Sequence, residues 1–455
     1  MNKHETSPLK HWARTSPNAL ALTTPKGNYT WSQLSQLIDS VAAGLSAQGV
    51  TSSSVVTSVG KPCPEQLFIL LACLELGAIN ALLMPQAPDE LDQKLATLYT
   101  DNAPRHLWFA HSEQGHQSTL DFTTEPGTPC SRYSSGALAT IVFTSGSTGN
   151  PKAVAHNSQQ HLASAQGLLA EFPFGCDDCW LVSLPLYHVS GLAIVYRWLY
   201  SGACIKLGSG ELQQDIKGVT HASLVATQLH RLLQCGQPHK LRQVLLGGSH
   251  IDPKLAQRAA SQGIDTWLGY GMTEAASTVT AKRVDDSPTA GHLLAKRQLK
   301  LVDNRIYVAG ETLATGYFQR GEIKPIAQDG WFDSKDLGQW QGDELVIIGR
   351  ADNQFISGGE NIHCEEIERV LSQHPLIEQV VVLPIDDIEY GQRPVAMIQH
   401  ADAFNLSALD DYLTPRLSRF KWPVRYYSMP AGVDSAGIKI SRYALKQWLA
   451  NQTEI

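Results

Sequence analysis

Several familiar signatures of protein chemistry are missing from these 455 residues. Gly-Lys-Ser/Thr never occurs, which excludes a Walker-type phosphate loop. The 16 histidines are dispersed and include no H-E-x-x-H. Of the eight cysteines, at 63, 73, 130, 176, 179, 204, 235 and 364, only Cys176 and Cys179 form a C-x-x-C. No second pair lies near them to complete a zinc site, so they read as reduced thiols. With 36 Lys+Arg against 43 Asp+Glu the net charge is −7, and no basic face for nucleic acid is advertised. The longest apolar candidate, Gln66–Leu76, contains Glu75 and is too short to span a bilayer, so it reads as a core helix. Met1–Thr6 lacks an apolar signal core; no export is expected, and the chain reads as cytoplasmic.

What is present is an ordinary globular balance, 43% hydrophobic and 17% charged, in a chain long enough for two or three compact units. Residues 6–110 alternate helix and strand signals. Helices are expected at Trp31–Gln48, Pro64–Leu76 and Asp89–Tyr99, and strands at Val55–Val59, Ile79–Met84 and His106–Ala110. This repeat predicts an α/β fold with parallel sheets covered by helices. From Leu299 short alternating strands with turns suggest a small β-rich unit. Residues beyond about 353 suggest a separate α+β domain of normal size.

The chemistry gathers around one stretch. Ala137–Phe143 reads as a buried strand and leads into Thr144-Ser145-Gly146-Ser147-Thr148-Gly149, followed by Pro151-Lys152. The glycines permit backbone conformations that turn several N–H groups toward one anion. The hydroxyls add donors, and Lys152 adds positive charge. The alternative is a flexible Ser/Gly linker. Further on, Leu186-Tyr-His-Val-Ser-Gly191 precedes an apolar helix, Gly191–Ala203, that carries a single charge, Arg197. A guanidinium there needs an anion, either an internal carboxylate or a substrate's. Val244-Leu-Leu-Gly247-Gly248-Ser249 and Trp267-Leu-Gly-Tyr270-Gly271-Met272-Thr273-Glu274 are strand ends rich in glycine, where backbone can approach a flat ligand.

Taken in order, these stretches resemble the adenylate-forming superfamily of acyl-CoA ligases, adenylation domains and luciferases, and the resemblance covers almost the whole chain. It implies a large N-terminal domain over 1–349, a hinge at 350–352 about Asp352, and a mobile C-terminal lid over 353–455 carrying a catalytic Lys439. ATP is implied to lie against Thr144–Gly149, Lys152, Gly247, Gly248, Ser249, Tyr270, Gly271, Met272 and Thr273. Tyr270 would stack on adenine, Thr273 would meet the α-phosphate, and Glu274 would hold Mg2+. Gly330-Trp-Phe-Asp-Ser-Lys-Asp336 resembles the ribose motif, with Arg350 as second contact; Lys335 replaces its usual glycine, so the backbone there is expected to differ. Lys439-Ile-Ser-Arg442 matches the lysine motif, with Ile438 in place of its glycine. His188 is implied to line the acid pocket, with a structural histidine as the alternative.

Within the superfamily, Leu-Pro-Leu-Tyr-His-Val-Ser-Gly, Tyr-Arg-Trp-Leu-Tyr and Thr-His-Ala-Ser-Leu-Val resemble a short-chained branch acting on 2-succinylbenzoate in menaquinone biosynthesis. That implies acid binding by His188, Arg197, Ser223 and Ser277, and catalytic roles for His188, Thr273, Glu274 and Lys439. The implied reaction joins the acid to coenzyme A through an acyl-adenylate, releasing AMP and pyrophosphate. Ligation of another acid, loading of a carrier protein, a non-catalytic nucleotide binder and association into a homo-oligomer stay open.

Overall fold

The computed structural model describes residues 6–110, 117–127, 131–144, 151–236, 239–247, 251, 253–357, 360–401, 409–430, 434–435, 439–440 and 442–452. They fall into two compact units, one of residues up to 144, 151–299 and 308–332, the other of 300–307 and 333–452.

The first unit contains two sheets. One runs Gly27–Thr30, Leu20–Thr24, Cys204–Lys206, Cys179–Leu181, His221–Leu224, Gln243–Leu246, Asp265–Met272, Ser277–Arg283 and His292–Leu293. Its middle strands, from Leu20–Thr24 to Asp265–Met272, are parallel neighbours. The other sheet runs Glu322–Lys324, Gly316–Gln319, Lys152–Asn157, Leu138–Thr144, Ile79–Leu83, Val55–Val59 and His106–Phe109. Parallel strands need crossover helices, and these supply the apolar layers. The helix Pro64–Leu76 is buried on every side from Gln66 onward, which fits the apolar run Leu67–Leu74. Its Glu75 accepts from the hydroxyls of Ser7 and Ser131, the latter at 2.9 Å. Trp31–Ala47 is opened by a capping box of Thr30 and Gln33, and its Trp31 stacks on Trp198 at 4.9 Å. No described helix is long and apolar enough to cross a membrane.

In the second unit Phe332–Gln341 and Glu344–Arg350 form an antiparallel hairpin. A sheet of Glu360–His363, Gln354–Ser357, Gly391–His400, Ile377–Asp387 and Arg425–Ser428 packs on the helix Cys364–Ser372. Residues on either side of 349/350 touch locally: Arg369 donates to the Ile347 carbonyl at 3.4 Å, and a Cβ on Gly349 would meet Glu365 at 2.8 Å. The hairpin is held by the residues that follow it.

Candidate active site

Leu138–Thr144 and Lys152–Asn157 pair antiparallel, with Thr144 opposite Lys152. The loop residues Ser145, Gly146, Ser147, Thr148 and Gly149 lie outside the described residues, but its two ends are fixed. Lys152 Nζ stands 5.2 Å from the ring centre of Tyr317 on the adjoining strand. Tyr317 donates its hydroxyl to Glu274 Oε1 at 3.1 Å, and Glu274's carbonyl accepts from Ala314 at 2.8 Å. Burial, with Glu274's charge added, holds the Tyr317 phenol well above its ordinary value, so it stays a donor. Lys152 and Glu274 are thus joined through one tyrosine that sequence reasoning did not single out. Tyr317 lies in an unremarkable Gly-Tyr-Phe-Gln strand without a motif signal.

Tyr270, Gly271 and Met272 end the strand Asp265–Met272, and Thr273–Ala275 form one 3-10 turn. Gly271 has a strict reason: a Cβ there would sit 2.0 Å from the Ser277 carbonyl. Ala276 and Ser277 follow with φ of 50° and 92°, a left-handed turn that non-glycine residues rarely adopt. It sends the chain back as Ser277–Arg283, pairing Met272 with Ser277 and Gly271 with Thr278. Gly247 follows its strand and is exposed, with nothing within 4 Å of where a Cβ would stand. Gly248 and Ser249 lie outside the described residues.

A second group of buried polar side chains surrounds Arg197. The helix Val189–Ser201 begins after His188, is closed by left-handed Gly202, and buries every residue from Gly191 to Leu199. Arg197 is 2% exposed. Its guanidinium lies 5.1 Å from the Trp180 ring and reaches Thr278 Oγ1 only at 3.4 Å. Among the described residues no carboxylate comes within 4.0 Å of it, so the internal partner left open by the sequence is absent there. Burial and the nearby charge of Arg297 push the Arg197 pKa down to about 9. Ser223 is on the strand beside Trp180's, on the face that carries His221 against the Trp180 ring. The Ser223 hydroxyl and the Trp180 indole nitrogen are both buried without a partner. Three buried donors therefore share this layer, and among the described residues their one protein acceptor is the Thr278 hydroxyl at 3.4 Å from Arg197. Trp180 and Thr278 were missed from sequence because each acts through contact across a sheet.

In the second unit Asp336 and Arg350 face each other across the hairpin and are paired at 2.8 Å. Arg350 also grips Asp352 at 2.9 and 3.2 Å. Burial alone would raise the Asp352 carboxyl, but the Arg350 contact outweighs it and holds the group below its usual range. Lys335 holds φ at 62°, a left-handed conformation that glycine adopts more readily. Lys439–Ile440 pairs with Asp434–Ser435, and the side chain of Lys439 lies outside the described residues. Arg442, three residues on, is anchored to Glu368 at 2.6 Å.

Comparison with known proteins adds a family and close relatives. The pattern described as AMP-binding enzyme matches residues 9–318. The 2-succinylbenzoate–CoA ligase of Haemophilus influenzae is 43% identical over 446 residues, 96% of both chains. That of Salmonella typhimurium is 40% identical over 449 residues, 97% of both. An arginine-to-lysine variant of E. coli MenE, solved with bound OSB-AMS, superposes with a TM-score of 0.90 at 38% identity, over 99% of this chain and 100% of that one.

Proposed function

We propose, for a chain that belongs to the AMP-binding enzyme family, that it joins 2-succinylbenzoate to coenzyme A through an acyl-adenylate, with ATP as the activating co-substrate. The observation that carries the choice of acid is Arg197, buried with no carboxylate near it among the described residues and with two further unmet donors in its layer. 2-Succinylbenzoate has two carboxylates. Only the succinyl one is activated, so the aromatic one is free to supply the missing acceptor. Arg197 would take it with its planar fork, Ser223 would donate a second hydrogen bond, and His188 and Ser277 would line the rest of the pocket.

In the first half-reaction the succinyl carboxylate attacks the α-phosphorus of ATP, and pyrophosphate leaves. Tyr270 would stack on the adenine, and Thr273 and Lys152 would face the phosphates; Asp336 and Arg350 would serve the ribose. Glu274 suits magnesium: it is a hard oxygen donor fixed by Tyr317, and the ion neutralises phosphate charge when bound. Lys439 would neutralise the charge that grows between acid and α-phosphate, an effect typically worth several kcal/mol. In the second half-reaction the CoA thiol attacks the adenylate carbonyl and AMP leaves. A lid over 353–455 turning about Asp352 would gate that step. ATP and CoA are supplied in the cytoplasm, which we take as its compartment.

Arg197→Lys tests the acid assignment, since it keeps charge but loses the fork. Use of 2-succinylbenzoate should fall about ten- to a hundredfold, with the KM for ATP unchanged. 4-Oxo-4-phenylbutanoate, which lacks the aromatic carboxylate, should be a poor substrate that hardly notices the change. Equal losses for both acids would mean that Arg197 serves the fold and not the substrate.

A further inference from the structure

The acid pocket contains a second buried cation. Arg297 is 5% exposed, and its guanidinium meets four neutral acceptors. Nε donates to the Thr278 carbonyl at 3.0 Å, Nη1 to the Ala295 carbonyl at 2.7 Å, and Nη2 to the Ser164 carbonyl and hydroxyl at 3.0 and 2.9 Å. Arg197 approaches the same Thr278 at its hydroxyl. Two guanidinium groups thus flank one threonine, and the described residues bring no carboxylate to either. Like charges in a desolvated site repel, and the charge of Arg297 disfavours the charged form of Arg197. Burial pushes Arg297 down to about 10, in the same direction as Arg197.

Arg297 also grips the left-handed turn that leads into Thr278. Ser164 Oγ, which accepts from Arg297, donates to the Ala276 carbonyl at 2.5 Å. Ala276 and Ser277 are the two residues of that turn with positive φ, so the guanidinium braces a strained segment from both sides. A bracing role needs hydrogen bonds but not a charge. A buried, unneutralised charge is costly, and methylene or amide groups could fill the space without it.

We propose that Arg297 is a specificity-determining residue of the acid pocket: its charge, set behind Thr278, makes the pocket select acids that bring a second carboxylate to Arg197. The proposal rests on the reading of Arg197 given above. A carboxylate entering beside Arg197 is attracted by two cations and relieves their repulsion. A neutral aromatic ring meets neither benefit. Arg297 touches no reacting atom; it acts through Thr278 and through its field.

The test compares kcat/KM for 2-succinylbenzoate and 4-oxo-4-phenylbutanoate in the full chain with ATP and CoA. Arg297→Gln keeps hydrogen-bonding capacity and removes the charge. It should shrink the preference for the diacid by roughly tenfold, mostly through the diacid's KM, and leave the KM for ATP unchanged. Arg297→Lys keeps the charge and should retain most of the preference. If Arg297→Gln lowers both acids alike, or raises the KM for ATP in step, Arg297 is only a brace and the proposal is overturned. If Arg297→Gln does not fold, Arg297→Lys decides alone: loss of the preference with the charge retained also overturns it. A wild type with no preference between the two acids would instead defeat the Arg197 reading, leaving no selectivity for Arg297 to set.

Discussion

At Lys335 a lysine holds φ at 62°, with its N–H on Asp333 Oδ1 at 2.9 Å. A left-handed non-glycine residue costs roughly 1–2 kcal/mol, and glycine gives back about half to one through its looser unfolded state. Lys335→Gly should therefore stabilise the chain by roughly 0.5–1 kcal/mol, read as a higher urea midpoint. A lower midpoint would mean that the lysine side chain contributes more than the strain removes. The same scale decides what sequence could reveal. Arg197 was legible because one charge in an apolar run has to be answered. Arg297 was not, because Lys296-Arg297 opens an alternating strand and reads as surface. Tyr317 and Trp180 carry no local signal, since their roles arise only from what lies across the sheet.

Among the elements, long periodic segments were legible nearly to the residue: the helix expected at Pro64–Leu76 is found there, and Trp31–Gln48 ends one residue earlier. Short or mixed ones were not. Lys152–Asn157 forms a strand although His156 and Asn157 break its apolar run, and the strand Gly391–His400 and helix Arg442–Gln452 went unread. The strand Lys152–Asn157 puts His156 at 0% exposure beside His161 at 4.7 Å, and His161 shares its Nε2 with Thr140 at 2.8 Å. Burial holds His156 down to about 3 and depresses His161 in the same direction. Between about 3 and the ordinary histidine value near 6.5, the unfolded chain binds a proton at His156 that the folded chain does not. Stability therefore rises with pH through that window and is lost as pH falls. His156→Leu should lower the pH dependence of the urea midpoint between about pH 5 and 7, because the unfolded chain no longer takes up that proton. An unchanged slope would show that His156 already carries its proton in the folded chain.

For the whole molecule, the motif order made the family and fold class legible, because phosphate, adenine, ribose and lysine motifs follow one another along the chain. The motifs also suggest a boundary at 349/350 and a hinge about Asp352, which stay proposals. The central claim is a two-step reaction with Lys439 serving only the first step. The most direct measurement follows both half-reactions of wild type and Lys439→Ala by mass spectrometry. Wild type given ATP, 2-succinylbenzoate and CoA should yield AMP, pyrophosphate and the thioester. Lys439→Ala should lose at least about a hundredfold in forming adenylate from ATP, yet still convert supplied acyl-adenylate and CoA to thioester. ADP and phosphate from the wild type, or equal loss of both steps in the variant, would contradict the account.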